Sequence, residues 1–330
     1  PARSPSLHDI STCDAVLLLG EDVSNTAPMM AFALRQAVRQ QPVKRVSKEL
    51  NIPPWDEYPI RQVIQDERGP LYIITPNATR IDDIATGVYH GAPEDIARLG
   101  FAVAHELDAS APDVPDLPDA VLSLAAAIAA ALRGAERPLV LSGTSLGSPE
   151  VIQAAASVAW ALCSMGRAAH LGYAFAECNT LGLGLIGGQG LEAAMEAARA
   201  NPPSVLVVLE NDLFRRGAPG EVGDLLKSAQ TLVVLDSLET PTTAQAQLAL
   251  PAAAFPEGNG SFVNHEGRVQ RFYQVYAPAG ETLESWKWIQ VILQAAGRPE
   301  AENWSNVDSV QAALADALPV FRPLLEVAPP

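Results

Sequence analysis

Residues 14–37 read DAVLLLGEDVSNTAPMMAFALRQA. Ala15–Leu19 is an unbroken apolar run that stops at Gly20, the pattern of a strand buried on both faces of a parallel sheet. Glu21, Asp22, Val23, Ser24, Asn25 and Thr26 form a polar loop after it. Asn25 or Thr26 would cap the next helix, and Pro28 suits its first turn. Ala31, Leu34, Ala37 and Val38 then fall on one helical stripe. Strand, polar loop and helix make half of a βαβ unit.

The same grammar recurs outward from this stretch. Strands are predicted at 71–75 (LYIIT), 138–142 (PLVLS), 204–209 (SVLVVL), 231–235 (TLVVL) and 248–250, the last ending at Pro251. Of these, 204–209 reads as the clearest buried strand. Helices are predicted over 93–108, 120–132, 149–165, 221–229, 282–296 and 307–318. Leu283, Trp286, Ile289, Ile292 and Leu293 give the helix at 282–296 an apolar face. Strand–loop–helix repetition predicts an α/β fold: doubly wound, mostly parallel, Rossmann-like sheets with helices on both faces. Pro53, Pro54 and Pro59 predict irregular structure through 44–69. In NTLGLGLIGGQG, 179–190, the alternating Leu181, Leu183 and Leu185 predict a loop packed on the core. The Pro/Asp-rich segment 110–119 marks a boundary. It gives a Rossmann-like domain at 1–118 truncated at its N-terminus, a second α/β domain at 119–272, and a helical extension at 273–330.

The chain has 330 residues, a formal charge of −16 and 48% hydrophobic residues. At about 100–200 residues per domain, two or three domains are expected. Acidity on this scale argues against nucleic acid and anionic lipid as partners, which need clustered Lys and Arg. No apolar run of membrane-spanning length occurs, so no direct membrane insertion is expected. The first residue is Pro1, and the chain reads as a piece of a longer one. Cys13, Cys163 and Cys178 are too widely spaced for a zinc or iron–sulfur motif and read as small apolar fillers in a reducing compartment. The five histidines do not cluster.

Motifs that carry chemistry are missing their key residues. SGTS at 142–145 lacks the G-x-S-x-G elbow of a hydrolase. The glycine-rich 179–190 run lacks the Lys of a Walker A loop, and no G-x-G-x-x-G follows a strand. That weighs against a free-standing Rossmann enzyme. Gly143, Gly147 and their neighbouring hydroxyls offer a phosphate cradle at a helix start or an ordinary turn and cap, and the cap reading is preferred.

The richest polar stretch is 250–272, LPAAAFPEGNGSFVNHEGRVQRF. A polar, glycine-containing loop at the end of a strand is where α/β sheets bind ligands. Two readings apply to Glu210, Asn211 and Asp236 at strand ends, and to Glu257, Asn264 and Arg268 in this stretch. They contact a ligand, or they cap helices and close turns. The structural reading is preferred on charge. Glu21, Asp22, Glu210, Asp212, Asp236, Glu239 and Glu257 crowd the candidate loops, against Arg215, Arg216, Arg268 and Arg271. Acids facing a phosphate are costly unless neutralised.

The stretch also resembles the molybdopterin oxidoreductase family. The resemblance rests on Leu250, Pro251, Ala252, Ala253, Phe255, Glu257, Gly260, Ser261, Phe262, Asn264, Glu266, Gly267, Arg268 and Gln270. It continues in 14–37 and in Asn179, Gly182, Gly187 and Gly188, in the family's order. The resemblance implies the family's domain II/III architecture. It also implies that, if a pterin binds, Glu210, Asn211, Asp236, Glu257, Asn264 and Arg268 are its contacts.

Within the family, the run is most similar to the branch built into respiratory complex I. That implies a non-catalytic scaffold, with no catalytic, metal or cofactor residues here, in an assembly moving electrons from NADH to quinone and pumping protons. The partners would be the other peripheral-arm subunits, on the cytoplasmic side of the bacterial inner membrane. The 4Fe–4S and 2Fe–2S clusters would lie before Pro1. The alternative is the cofactor-binding part of an active molybdenum or tungsten bis-pterin oxidoreductase, similar to formate dehydrogenase.

Overall fold

The computed structural model describes residues 2–298 and 304–327. They divide into two compact units: Pro1–Leu181 with Asn264–Arg268, and Gly182–Val263 with Val269–Pro330.

The first unit is built on β1 (Ala15–Leu19), β2 (Leu71–Thr75), β3 (Gly87–His90), β4 (Pro138–Gly143) and β5 (His170–Ala174). All pair in parallel, in the order β3-β2-β1-β4-β5. This is doubly wound topology, with β1 central and the order reversing between β1 and β4. Side chains alternate across the sheet. Leu17, Leu19, Ile74 and Val140 face one layer of helices, α6 (Pro93–Leu107), α7 (Asp119–Gly134) and α8 (Pro149–Ser164). Val16, Leu18, Ile73 and Leu141 face the other, where α1 (Leu7–Ser11), α2 (Val23–Thr26) and α3 (Pro28–Ala37) lie. Both faces of β1 are closed, and all five of its residues are buried.

The second unit holds a parallel sheet of β6 (Val205–Leu209), β7 (Thr231–Asp236) and β8 (Leu248–Pro251). Helices α10 (Leu191–Ala200) and α11 (Pro219–Ser228) pack on Val208, Leu232 and Val234. On the other face Trp288 and Ile289 of α12 (Ser285–Ala295) cover Val233 and Leu235. A hairpin, β9 (Gly260–Val263) with β10 (Val269–Phe272), brings Phe262 and Phe272 into a tilted contact, 4.8 Å between ring centroids. Gly260 permits this, because a Cβ there would lie 2.4 Å from the Phe272 ring. Helix α13 (Val307–Ala317) is joined to the hairpin by the Arg271–Asp308 ion pair and by Gln311 donating to Ser261 Oγ at 3.1 Å.

Several expectations are corrected. The boundary at 118/119 falls inside one sheet, because β4 pairs with β1 through Leu139↔Val16. The division at 272/273 likewise separates residues of one unit, which runs on from Val269. The segment 44–69 is irregular only in part: α4 (Gln40–Leu50) and α5 (Glu57–Ile64) run through it, and Pro53 and Pro54 lie in the break between them. Pro42 and Pro59 sit in first turns, where no amide donor is required. The stretch 179–190 contains a short helix, α9 (Thr180–Ile186), with Leu183 and Leu185 exposed. Strand β6 is half bare: Val205, Val207 and Leu209 are 55%, 43% and 50% exposed, since α12 covers only its neighbours. The polar run after β8 is mostly the hairpin. Among the described residues no helix is long and apolar enough to cross a membrane.

Candidate functional site

The reversal of strand order places a crevice between the carboxyl ends of β1 and β4, the position at which open α/β sheets take ligands. In this chain Glu21 occupies it. Glu21 follows Gly20 at the end of β1 and is 1% exposed. Its Oε1 accepts from Ser145 Oγ at 2.8 Å and from Thr26 Oγ1 at 2.9 Å. Its Oε2 accepts from the Ser145 amide at 3.2 Å. The carboxylate lies against Gly143, the last residue of β4, where an added Cβ would fall 1.9 Å from Oε2. Glycine at 143 is thus a requirement of the acid opposite it.

The loops around Glu21 are arranged to hold it. Asp22, rather than Asn25 or Thr26, provides the helix cap, accepting from the Ser24 amide at 3.0 Å. The loop expected after β1 winds into the single turn of α2, which delivers the Thr26 hydroxyl to Glu21. After β4, Ser145 turns to Glu21, and Ser148 caps α8 by accepting from the Val151 amide at 3.3 Å. The hydroxyls of Ser145 and Ser148 therefore serve a carboxylate and a helix end. A dinucleotide places phosphate at this position in Rossmann-type sheets. A buried carboxylate there opposes a second anion, so this crevice does not fit a phosphate-bearing cofactor.

The strand ends of the second unit carry the predicted acids. Parallel register sets Leu209 beside Leu235 and Leu235 beside Leu250, so Glu210 and Asp236 end adjacent strands. Glu210 sits at φ +45° and accepts a hydrogen bond from Ser285 Oγ. Asn211 Oδ1 accepts from Arg216 Nε at 3.1 Å. Asp212 accepts from the buried Thr242 hydroxyl at 2.7 Å and from the Phe214 amide. Asp236 accepts from the Leu238 amide at 3.2 Å, closing a turn. Glu257 reaches back to the Ala254 amide at 2.9 Å. Asn264 and Arg268, at the hairpin turn, belong to the first unit. Asn264 Oδ1 accepts from the Glu266 and Arg268 amides at 3.0 and 2.9 Å, and the Arg268 residue is exposed.

Each predicted acid and amide thus has a structural partner. Two further residues of the second unit, which the sequence did not single out, hold its polar ends. Glu284, 8% exposed, accepts from the Asn259 amide at 2.9 Å and pairs with Lys287 at 2.8 Å. Ser285 holds Glu210. Their signal was weak, because both are polar positions at the start of α12, between the apolar Leu283 and Trp286.

Comparison with known proteins bears on this arrangement. The family model for molybdopterin oxidoreductases matches residues 99–295. The chain belongs to the molybdopterin oxidoreductase family. Among curated relatives, it is 40% identical over 334 residues to the G subunit of NADH-quinone oxidoreductase from Pseudomonas fluorescens, covering 100% of this chain and 37% of that protein. It is 39% identical over 333 residues to the same subunit of Salmonella typhimurium and 40% identical over 333 residues to that of Escherichia coli K12. Each alignment covers 99% of this chain and 36% of the relative. The chain therefore spans just over a third of the length of these relatives.

The fold of the family also appears in solved structures. Acetylene hydratase from Pelobacter acetylenicus superposes with a TM-score of 0.56 at 14% identity, over 92% of this chain and 51% of the other. The formyltransferase/hydrolase complex of Methylorubrum extorquens gives 0.50 at 11% identity, over 86% and 75%. At such identities the likeness concerns the fold alone.

Proposed function

We propose that this chain is a scaffold region of the G subunit of a NADH–quinone oxidoreductase, without a redox centre of its own. The assignment to that subunit is supported by 39–40% identity along essentially the whole chain. The observation that carries the scaffold reading is the Glu21 carboxylate, buried in the switch-point crevice and held by Ser145 and Thr26. A side chain fills the position that a cofactor phosphate would take, and it has the wrong charge to be displaced by one.

In this reading electrons pass from NADH to quinone, with proton pumping, through 4Fe–4S and 2Fe–2S clusters carried outside these 330 residues. The partners are other subunits of the peripheral arm of complex I, on the cytoplasmic side of a bacterial inner membrane. Glu210, Asn211, Asp236, Glu257, Asn264 and Arg268 shape turns and caps rather than binding a pterin.

Affinity purification of the native polypeptide tests the assignment. It should bring down an assembly that oxidises NADH and reduces quinone. Recovery as a formate-oxidising enzyme with bound molybdenum or tungsten would overturn it.

A further inference from the structure

A second polar cavity lies at the opposite edge of the first sheet, where strands begin rather than end. It measures about 810 Å³ and gathers Arg3, Arg137, Arg167 and His170, with Asp9 and Glu136 at its wall. Three arginines line it in a chain with 22 Lys and Arg against 38 Asp and Glu. Asp9 and Glu136 offset part of this charge, and the three cations outnumber them.

The fold places these arginines deliberately. Buried Asp14 fixes the loop before β4 by accepting from the Glu136 amide at 3.0 Å and the Arg137 amide at 2.8 Å. Arg3 lies alongside β5, donating its amide to Ala169 at 3.1 Å and accepting from Leu171 at 3.0 Å. Arg167 follows α8 and donates through Nη1 to the Ala135 carbonyl at 3.0 Å. Backbone bonds thus hold Arg3 and Arg137 in place, with the exposed Arg3 side chain in the cavity wall.

The two acids are already engaged. Asp9 accepts from the Ser6 amide and hydroxyl and from Arg137 Nη2 at 3.2 Å. Glu136 pairs with Lys44 at 2.7 Å. Arg137 Nε is buried with no hydrogen-bond partner, a costly condition for a charged donor. Three arginines against two acids that are already paired leave the cavity with excess positive charge.

We propose that this cavity is a binding site for the oxyanion group of a small molecule, a phosphoryl or carboxylate group held between Arg3, Arg137 and Arg167. The site is independent of the switch-point crevice, and it stands whether or not the scaffold reading does. Guanidinium forks match both oxyanions in bidentate geometry.

The test is calorimetric titration of the full chain at constant ionic strength in chloride, in two arms. One arm uses inorganic phosphate, and the other uses citrate. One-to-one binding with a Kd of about 1 mM or tighter is expected in at least one arm, and the stronger arm identifies the oxyanion. R3Q removes a side chain whose guanidinium packs no core, and R137Q removes the charge of a second lining arginine. Each should weaken binding roughly tenfold, the worth of one charge-assisted hydrogen bond. R199Q, in the second unit, should leave it unchanged. Circular dichroism and the unliganded Tm establish that each variant is folded. No binding in either arm, or equal weakening by R199Q and R3Q, would overturn the proposal.

Discussion

Glu21 and Ser145 meet across 124 residues of sequence, the Ser145 hydroxyl and amide both donating to one buried carboxylate at 2.8 and 3.2 Å. The contact ties the ends of β1 and β4 together at the point where a ligand would otherwise enter. Removing the carboxylate leaves buried donors unsatisfied. E21A is expected to destabilise the chain by about 2–4 kcal/mol, and S145A by about 1–2 kcal/mol. A double-mutant cycle read by urea denaturation should give a coupling of roughly 1 kcal/mol or more. Strict additivity would mean the pair does not interact.

Gly143 tests the same geometry from the other side. An alanine Cβ would overlap Glu21 Oε2, at 1.9 Å. G143A should therefore cost roughly 3 kcal/mol in the native background, through overpacking against a buried group. In an E21A background most of that cost should vanish. If G143A is equally harmful in both, the glycine is needed for its backbone and not for the acid.

Glu284 anchors the second unit. Its loss frees the Asn259 amide at the start of the hairpin and the ammonium of Lys287. E284A should lower stability by about 2 kcal/mol and speed hydrogen exchange at Asn259 well beyond the change at β7. Uniform acceleration across the unit would show global loosening instead.

His170 should make the first unit acid-sensitive. Burial, and then the neighbouring Arg137, hold its imidazole below the ordinary value. The unfolded chain, with an imidazole near about 6.5, takes the proton first as pH falls. The contribution is thus present above that pH and is lost as pH drops toward the folded value. Between about pH 8 and about pH 5.5, the native chain should lose more stability than H170Q does. Parallel pH profiles would remove the effect from His170.

Much of the fold was legible because apolar runs and helical stripes carry it. Ala15–Leu19, Leu71–Thr75 and residues 231–235 are largely apolar stretches and form strands with those bounds or one residue beyond. Strands β3 and β5 were illegible, because Gly-Val-Tyr-His and His-Leu-Gly-Tyr-Ala are half-exposed edges that mix polar and apolar residues. The bare face of β6 was equally hidden. A strand covered on one side and a strand covered on both share the same Val/Leu composition. For the site, Glu21 was visible only as one acid among several. Its role comes from topology, which brings Gly143 and Ser145 to it, and no local pattern encodes that. Charge favoured structural roles for the acidic loops, and Glu210, Asp212 and Glu257 each accept hydrogen bonds from within the second unit.

The central claim is that the crevice of the first unit is filled by the protein's own carboxylate and that the region is a scaffold. The most direct measurement is the molybdenum, tungsten, iron and pterin content of the polypeptide purified in its native assembly. The account predicts iron with neither molybdenum nor tungsten, and no oxidised-pterin fluorescence. Near-stoichiometric molybdenum or tungsten together with pterin would contradict it.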